Sequence, residues 1–118
     1  MEKIGVGLSC SSKSEVTGEL VYIQTIDDVI NLFDKAEGKI CIVDDSGITT
    51  LSPILSDLVG TICTTGSAGS HLAIVSREFS IPCIMGVKFS IENISSLNGR
   101  MGKIIHEEDH MGILYLLD

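Results

Sequence analysis

Short apolar runs divide the first half of the chain into strands and one helix. Residues 18–23 predict a strand. Thr25 then supplies an N-cap for a helix that ends at Gly38, because apolar residues recur at helical spacing between the two. Residues 39–43 form an apolar run in front of two aspartates and predict a buried strand. The apolar helical positions are Val29, Ile30, Leu32, Phe33 and Ala36.

The second half continues the alternation and then becomes richer in strands. Ser52 and Pro53 are a favourable N-cap and first-turn pair for a short helix that reaches Leu58. Residues 59–64 predict a strand, and residues 70–79 predict a helix that follows a glycine-containing loop. Three further strands are predicted, at residues 82–86, 103–105 and 113–116.

Length and composition fit one domain over residues 1–118, with an α/β fold in which helices pack on a mixed sheet. The hydrophobic fraction of 44% and the charged fraction of 20% are typical of a compact globular protein. The net charge of −8, with scattered lysines and arginines, argues against nucleic acid and anionic membranes as partners. No apolar run approaches the ~20 residues of a membrane span. The N-terminus lacks the apolar region of a signal peptide, so we expect a cytoplasmic protein.

The four cysteines are widely spaced and form no Cys-x-x-Cys pair. Cys41 and Cys83 lie inside apolar runs, which is typical of reduced, buried cysteines. We therefore expect these two thiols to belong to the core.

A loop of small residues stands directly before His71, and an apolar helical stretch follows it. The partial positive charge of a helix N-terminus favours a neutral imidazole and attracts phosphate. Gly66 and Gly69 allow the backbone to approach a phosphate closely, while Ser67 and Ser70 offer hydroxyls. On local chemistry His71 is a candidate phosphoryl carrier, and a helix cap or surface histidine is the alternative.

The stretch from Cys63 to Pro82 resembles the active-site segment of the phosphohistidine (swivelling, or mobile) domain of phosphoenolpyruvate (PEP)-utilising enzymes. Pyruvate phosphate dikinase, PEP synthase and enzyme I of the sugar phosphotransferase system share this domain. The family pattern is Thr-x-x-Gly-Gly-x-x-Ser/Cys/Thr-His, followed by Ala-Ala-Ile-Val-Ala-Arg-Glu-x-x-Ile-Pro-Ala-Val-x-Gly. Weaker similarity at residues 16–19 and 97–99 extends the resemblance over nearly the whole chain. The matching positions are Gly66, Ser70, His71, Ala73, Ile74, Val75, Arg77, Glu78, Ile81, Pro82 and Gly86.

The resemblance implies a swivelling β/β/α phosphohistidine domain in which His71 is the catalytic residue. Three positions depart from the family pattern: Cys63 replaces a threonine, Ser67 replaces the second glycine, and Gly69 stands where plant-type dikinases carry a regulatory threonine. For Arg77 a surface or interface cation is the alternative to a role in the site. The implied phosphate-loop residues are Gly66, Ser67, Gly69 and Ser70, and the implied auxiliary residues are Thr64, Thr65 and Arg77.

The family combines this domain with others that bind the donor and the acceptor. The chain has no P-loop and no Rossmann fingerprint, so we expect it to be inactive alone. The implied partners are separate nucleotide-binding proteins that resemble ATP-grasp proteins, or PEP- or substrate-binding proteins. Mg²⁺ with ATP or PEP is expected on those partners, and no cofactor on this chain. The chain is then a phosphotransferase component; a non-catalytic interaction module that retains the fold is the alternative.

Residues 106–110 satisfy His-Glu-x-x-His, a spacing that in zinc peptidases puts two histidines on one helical face. Here Gly102 and Gly112 bracket the segment, and Ile104 and Ile105 predict a strand directly before it. We therefore expect a solvated turn at this place and no metal site.

Overall fold

The computed structural model describes residues 1–10, 15–44, 51, 54–65, 71–107 and 110–117. Within this part, α1 (Ile26–Ile30) and α2 (His71–Glu78) are α-helices, and Leu55–Asp57 and Ile94–Leu97 are short 3-10 turns. The strands in these ranges are β1 (Glu2–Ser9), β2 (Glu15–Tyr22), β3 (Lys39–Val43), β4 (Gly60–Cys63), β5 (Cys83–Phe89), β6 (Met101–Glu107) and β7 (Met111–Leu116).

The strands close into a barrel in the order β1-β5-β4-β3-β2-β6-β7. Neighbours in the run β2-β3-β4-β5 are parallel, and the remaining neighbours are antiparallel. The carboxyl ends of β2, β3 and β4 therefore meet at one edge of the sheet. The segment that joins β4 to α2 leaves from this edge, so the fold brings the start of α2 to the ends of the parallel strands.

The two central parallel strands, β3 and β4, are buried on both faces from Ile40 and Gly60 onward, which is why β3 is a continuous apolar run after Lys39. Successive residues of a strand point to opposite faces. In β3, Ile40 and Ile42 join one buried cluster, whereas Cys41 and Val43 join the other. The second cluster also receives Val29 from α1 and the partly buried Val75 from α2. The predicted combination of a mixed sheet with packed helices is confirmed, although sheet dominates and the helices are few and short among the described residues.

The prediction of one helix from Thr25 to Gly38 is wrong in its length. Thr25 does cap α1, since its hydroxyl accepts from the Asp28 N–H and the Asp28 side chain accepts from the Thr25 N–H. From Leu32 onward, however, the backbone bonds join residues three apart, as in the 3.0 Å bond from the Lys35 N–H to the Leu32 carbonyl. Ile30 and Phe33 are 49% and 55% exposed, so these two predicted helical positions do not join the core. Val29, Leu32 and Ala36 are buried as predicted.

The other strand predictions are confirmed within a few residues at their ends, and the run at 39–43 is β3 itself. The predicted helix at residues 70–79 is α2. Ser52 and Pro53 lie outside the described residues, and a 3-10 turn at Leu55–Asp57 follows them. The sequence did not predict β1, which pairs with both β5 and β7 and so closes the sheet.

The remaining motifs of the sequence have clear structural places. All four cysteines are buried and form no disulfide, which confirms the prediction for Cys41 and Cys83. His106 lies in β6 and His110 lies at a positive φ of 60°, so the two histidines do not share a helical face. None of the helices formed by the described residues has the length and apolar content of a membrane span.

Candidate functional site

His71 is the first residue of α2, and β4 ends at Cys63 on the carboxyl edge of the sheet. The candidate histidine is therefore held at a helix start that follows a strand end, as the sequence predicts. For His71 the structure describes the backbone. Four predicted phosphate-loop residues lie outside the described residues: Gly66, Ser67, Gly69 and Ser70.

The two threonines that precede this loop are bound to the end of β3. Thr64 Oγ1 donates to Asp44 Oδ1 at 3.0 Å, and Thr65 Oγ1 donates to the Asp44 carbonyl at 2.7 Å. The backbone continues the pairing, because the Thr64 N–H donates to the Val43 carbonyl at 3.0 Å. Asp44 thus fixes the chain at Thr64 and Thr65, directly after β4 and before the loop that leads to His71.

Tyr22 adds a third hydroxyl to the same aspartate. It is the last residue of β2, and its phenol donates to Asp44 Oδ2. This hydrogen bond, with smaller contributions from burial and from the Asp44 charge, raises the pKa of Tyr22 to about 12. The phenol therefore remains a neutral donor throughout the physiological range. We call Tyr22, Asp44, Thr64 and Thr65 the Asp44 cluster; it joins the carboxyl ends of three parallel strands.

Both oxygens of the Asp44 carboxylate are engaged by hydroxyl donors. The Tyr22 backbone is itself fixed, since its N–H donates to Asn98 Oδ1 at 2.7 Å. The cluster can therefore orient the chain that leads into the loop. Its chemistry is that of a structural support, because Asp44 uses its side-chain oxygens on the threonine and the tyrosine.

Helix α2 is fixed to the sheet through a polar contact inside the core. Ser76 and Thr61 are both fully buried, and their hydroxyl oxygens lie 3.0 Å apart in a hydrogen bond. The end of the helix is held as well, because the Ile81 N–H donates to the Ser76 carbonyl at 2.9 Å. These contacts set the position of α2, and hence of its first residue, His71, relative to β4.

Arg77 points to a different part of the molecule from the predicted threonines. Its Nη1 donates to the Cys10 carbonyl at 3.4 Å, beyond the end of β1. The structure therefore brings Thr64 and Thr65 together on Asp44 and gives Arg77 another partner. In the described ranges, no group of three or more His, Cys, Asp or Glu side chains has an arrangement that suits a metal ion.

Sequence reasoning missed Asp44 and Tyr22. One signal was present: Asp44 directly follows a buried strand, as Thr64 follows the next strand along the sheet. Parallel neighbours end at the same edge, so the residues after them meet. Tyr22 carries no such signal, because a tyrosine at a strand end is ordinary in sequence.

The chain has relatives among known families and proteins. The model of the family described as PEP-utilising enzyme, mobile domain, matches residues 34–101. The chain is 27% identical over 116 residues to the chondramide synthase cmdD of Chondromyces crocatus, an alignment that covers 98% of this chain and 3% of the synthase.

A solved structure titled as the N-terminal domain of Enzyme 1 - Nitrogen has a similar fold. The TM-score is 0.55 at 26% identity, and the superposition covers 75% of this chain and 35% of that one. The chain thus spans about a third of that structure and a very small part of the synthase.

Proposed function

The chain belongs to the PEP-utilising enzyme mobile domain family, and from this premise we propose that it carries phosphoryl groups on His71. The family and the likeness to the enzyme I domain support a phosphoryl-carrier domain. The observation that carries the assignment to His71 is its position as the first residue of α2, just after the segment that leaves β4, within the matched segment.

The reaction needs a neutral imidazole as the nucleophile. An imidazole nitrogen attacks a phosphorus atom of ATP or PEP, the new P–N bond forms, and the P–O bond to the donor breaks. In the second step an acceptor oxygen attacks the same phosphorus and the P–N bond breaks, which restores His71. Such transfer depends on positioning and charge stabilisation. In this proposal the first-turn N–H groups of α2, with Gly66, Ser67, Gly69 and Ser70, stabilise the phosphate.

The donor and acceptor sites belong to other domains or chains. A domain of this kind swivels between a nucleotide-binding, ATP-grasp-like partner or a PEP-binding partner and the site of the acceptor. Mg²⁺ arrives with ATP or PEP on those partners. The large share of the relatives that lies outside the matched segment supports this division of labour. We place the reaction in the cytoplasm, where ATP and PEP are available.

The proposal is tested by transfer of a radioactive phosphoryl group. The protein is incubated with labelled PEP or labelled ATP together with extract of its host, and acid-labile, base-stable phosphate on the purified protein is measured. His71→Ala is expected to abolish the label. His106→Ala and His110→Ala are the matched controls, because they remove the other two histidines of the chain and should retain it.

Circular dichroism establishes that each variant is folded. Absence of label on the folded wild-type protein with both donors would contradict a carrier function, and label that survives His71→Ala would contradict the assignment to His71. The first of these outcomes favours a non-catalytic interaction module.

A further inference from the structure

A row of small polar and thiol side chains crosses the sheet on the face that carries α2. The register aligns Cys41 of β3 with Thr61 of β4, and Thr61 with Cys83 of β5. In the antiparallel pair β1–β5, Ser9 is opposite Ile84, and one further step places Cys10 opposite Cys83. The Cys10 N–H donates to the Cys83 carbonyl at 2.9 Å, which shows that the pairing continues to this residue.

Cys10 and Cys83 also meet through their side chains. Both belong to the same buried cluster, at 6% and 1% exposure. Interaction between the two thiols lowers the pKa of Cys10 and raises that of Cys83. In the reduced protein, Cys83 Sγ donates to Met85 Sδ at 3.4 Å and Cys10 Sγ donates to the Leu8 carbonyl at 3.5 Å. Burial raises both pKa values, while the Arg77 guanidinium contributes a further lowering at Cys10. The two thiols are therefore unequal: Cys10 is the better nucleophile and Cys83 holds its proton.

The spacing suits a disulfide. Directly opposed residues of antiparallel strands have Cα atoms about 4.5–5.5 Å apart, within the roughly 4.4–6.8 Å that a disulfide spans. The other cysteines are less well placed. One strand, β4, separates Cys41 from Cys83, which gives about 9.5 Å between their strands. Continuing the β4–β5 register past Ile62 and Ile84 puts Cys63 opposite Met85.

We propose that Cys10 and Cys83 form a reversible disulfide, with a small-molecule disulfide such as oxidised glutathione as the oxidant. The Cys10 thiolate attacks one glutathione sulfur, forms a mixed disulfide and releases a glutathione thiolate. The Cys83 sulfur then attacks the Cys10 sulfur, and the second glutathione leaves with the Cys83 proton. The first glutathione thiolate takes up the proton that Cys10 released to water. The two protein thiols are thus oxidised to one disulfide, and one glutathione disulfide is reduced to two thiols.

Cys10 and Cys83 lie next to α2, the helix that begins at His71. Arg77 of α2 donates to the Cys10 carbonyl, and Ser76 of α2 bonds to Thr61, the neighbour of Cys83 in the row. This site is separate from the Asp44 cluster, and its existence does not depend on phosphoryl transfer. The proposed disulfide would lie next to α2, the helix whose first residue, His71, is the proposed phosphoryl carrier.

The test is thiol mapping in glutathione buffers. The protein is equilibrated at stepped ratios of oxidised to reduced glutathione, alkylated and examined by mass spectrometry of the intact chain and its peptides. We expect the loss of two hydrogen atoms, one cross-link between the peptides that contain Cys10 and Cys83, and full reversal by dithiothreitol. Cys41→Ala and Cys63→Ala are the matched controls and should keep the cross-link, whereas Cys10→Ser and Cys83→Ser should lose it.

The wild-type peptide map is decisive by itself, so the outcome does not depend on how well the buried variants fold. No cross-link at any ratio would overturn the proposal. A cross-link through Cys41 or Cys63 would overturn it too, as would a glutathione adduct on Cys10 that never resolves onto Cys83.

Discussion

Thr64 Oγ1 donates a hydrogen bond to Asp44 Oδ1 at 3.0 Å across the ends of two parallel strands. Thr65, the next residue, uses the backbone carbonyl of the same aspartate at 2.7 Å. Two adjacent threonines thus depend on Asp44 in different ways: one mainly on its side chain and the other on its main chain. This difference can be measured.

Asp44→Ala should lower the free energy of unfolding by about 0.5–1.5 kcal/mol, because it removes the acceptor of the Thr64 and Tyr22 hydroxyls at an exposed site. Thr64→Val should be coupled to it, so that the double variant loses less than the sum of the single variants. Urea denaturation of the four proteins measures the coupling.

Thr65→Val, combined with Asp44→Ala in the same way, is the matched control for the Thr64 measurement. Its acceptor, the Asp44 carbonyl, survives Asp44→Ala, so the two substitutions should be additive. Equal coupling of both threonines to Asp44→Ala would contradict this description of the cluster. If the cluster also positions the segment that leads to His71, Asp44→Ala should slow labelling of the folded protein in the carrier assay.

Tyr22 should ionise at unusually high pH. Its pKa is raised to about 12 from the ordinary value of 10, so the neutral phenol is favoured in the folded state. The stability from its bond to Asp44 is therefore fully present below pH 10 and is lost as the pH rises through about 12. Tyr22→Phe should be less stable than wild type at pH 7–9 by about 0.5–1 kcal/mol.

Two measurements check the Tyr22 prediction. In ultraviolet titration near 295 nm, the transition that Tyr22→Phe removes should have its midpoint near pH 12. In urea denaturation, the difference between the two proteins should narrow above pH 10. An ordinary midpoint for the removed transition, or a constant difference in stability, would show that the bond to Asp44 does not form in solution.

The fold was predictable where local pattern and burial agree. Residues 40–43 are apolar without interruption because this part of β3 is buried on both faces, and the run predicted the strand correctly. Helix α1 was predicted too long because Ile30 and Phe33 recur at helical spacing, as residues of a buried helical face do. In the structure both side chains are largely exposed to solvent. Exposure of an apolar residue depends on tertiary packing, which a periodic pattern does not contain.

The position of the candidate residue His71 at a helix start was predictable from the sequence, and its surroundings were predictable only in part. His71, Thr64 and Thr65 stand in one continuous motif, so a resemblance in sequence finds them together. Asp44 and Tyr22 come from other strands, and they meet the threonines only because β2, β3 and β4 are parallel neighbours. The local pattern along the chain does not indicate the strand order. In particular, it does not indicate that β1 pairs with β5 to close the barrel.

The buried pair Thr61 and Ser76 should show a related non-additivity inside the core. Ser76→Ala leaves the Thr61 hydroxyl without this partner in a fully buried place, which should cost about 1–3 kcal/mol. Thr61→Val combined with Ser76→Ala removes both polar groups, so it should cost clearly less than the sum of the single changes. Urea denaturation gives the values; strict additivity would mean that the two hydroxyls do not interact.

Strand β1 was not predicted from the sequence because it contains Gly5 and Gly7, and glycine is depleted in strands. Gly7 is required by a close approach: a Cβ there would lie 2.7 Å from the Met85 carbonyl oxygen and 2.8 Å from Ile84 Cγ2. A backbone atom of the neighbouring strand cannot move aside cheaply. Gly7→Ala should therefore lower the free energy of unfolding by about 1–3 kcal/mol, through overpacking at the β1–β5 contact.

Gly5→Ala is the matched comparison on the same strand. Its Cβ would meet Val87 Cγ1 at 3.0 Å, and this neighbour is the end of a side chain that can shift. We expect Gly5→Ala to cost distinctly less than Gly7→Ala in urea denaturation. Equal losses, or a stabilising Gly7→Ala, would contradict the tight contact between β1 and β5 that closes the barrel and places Cys10 opposite Cys83.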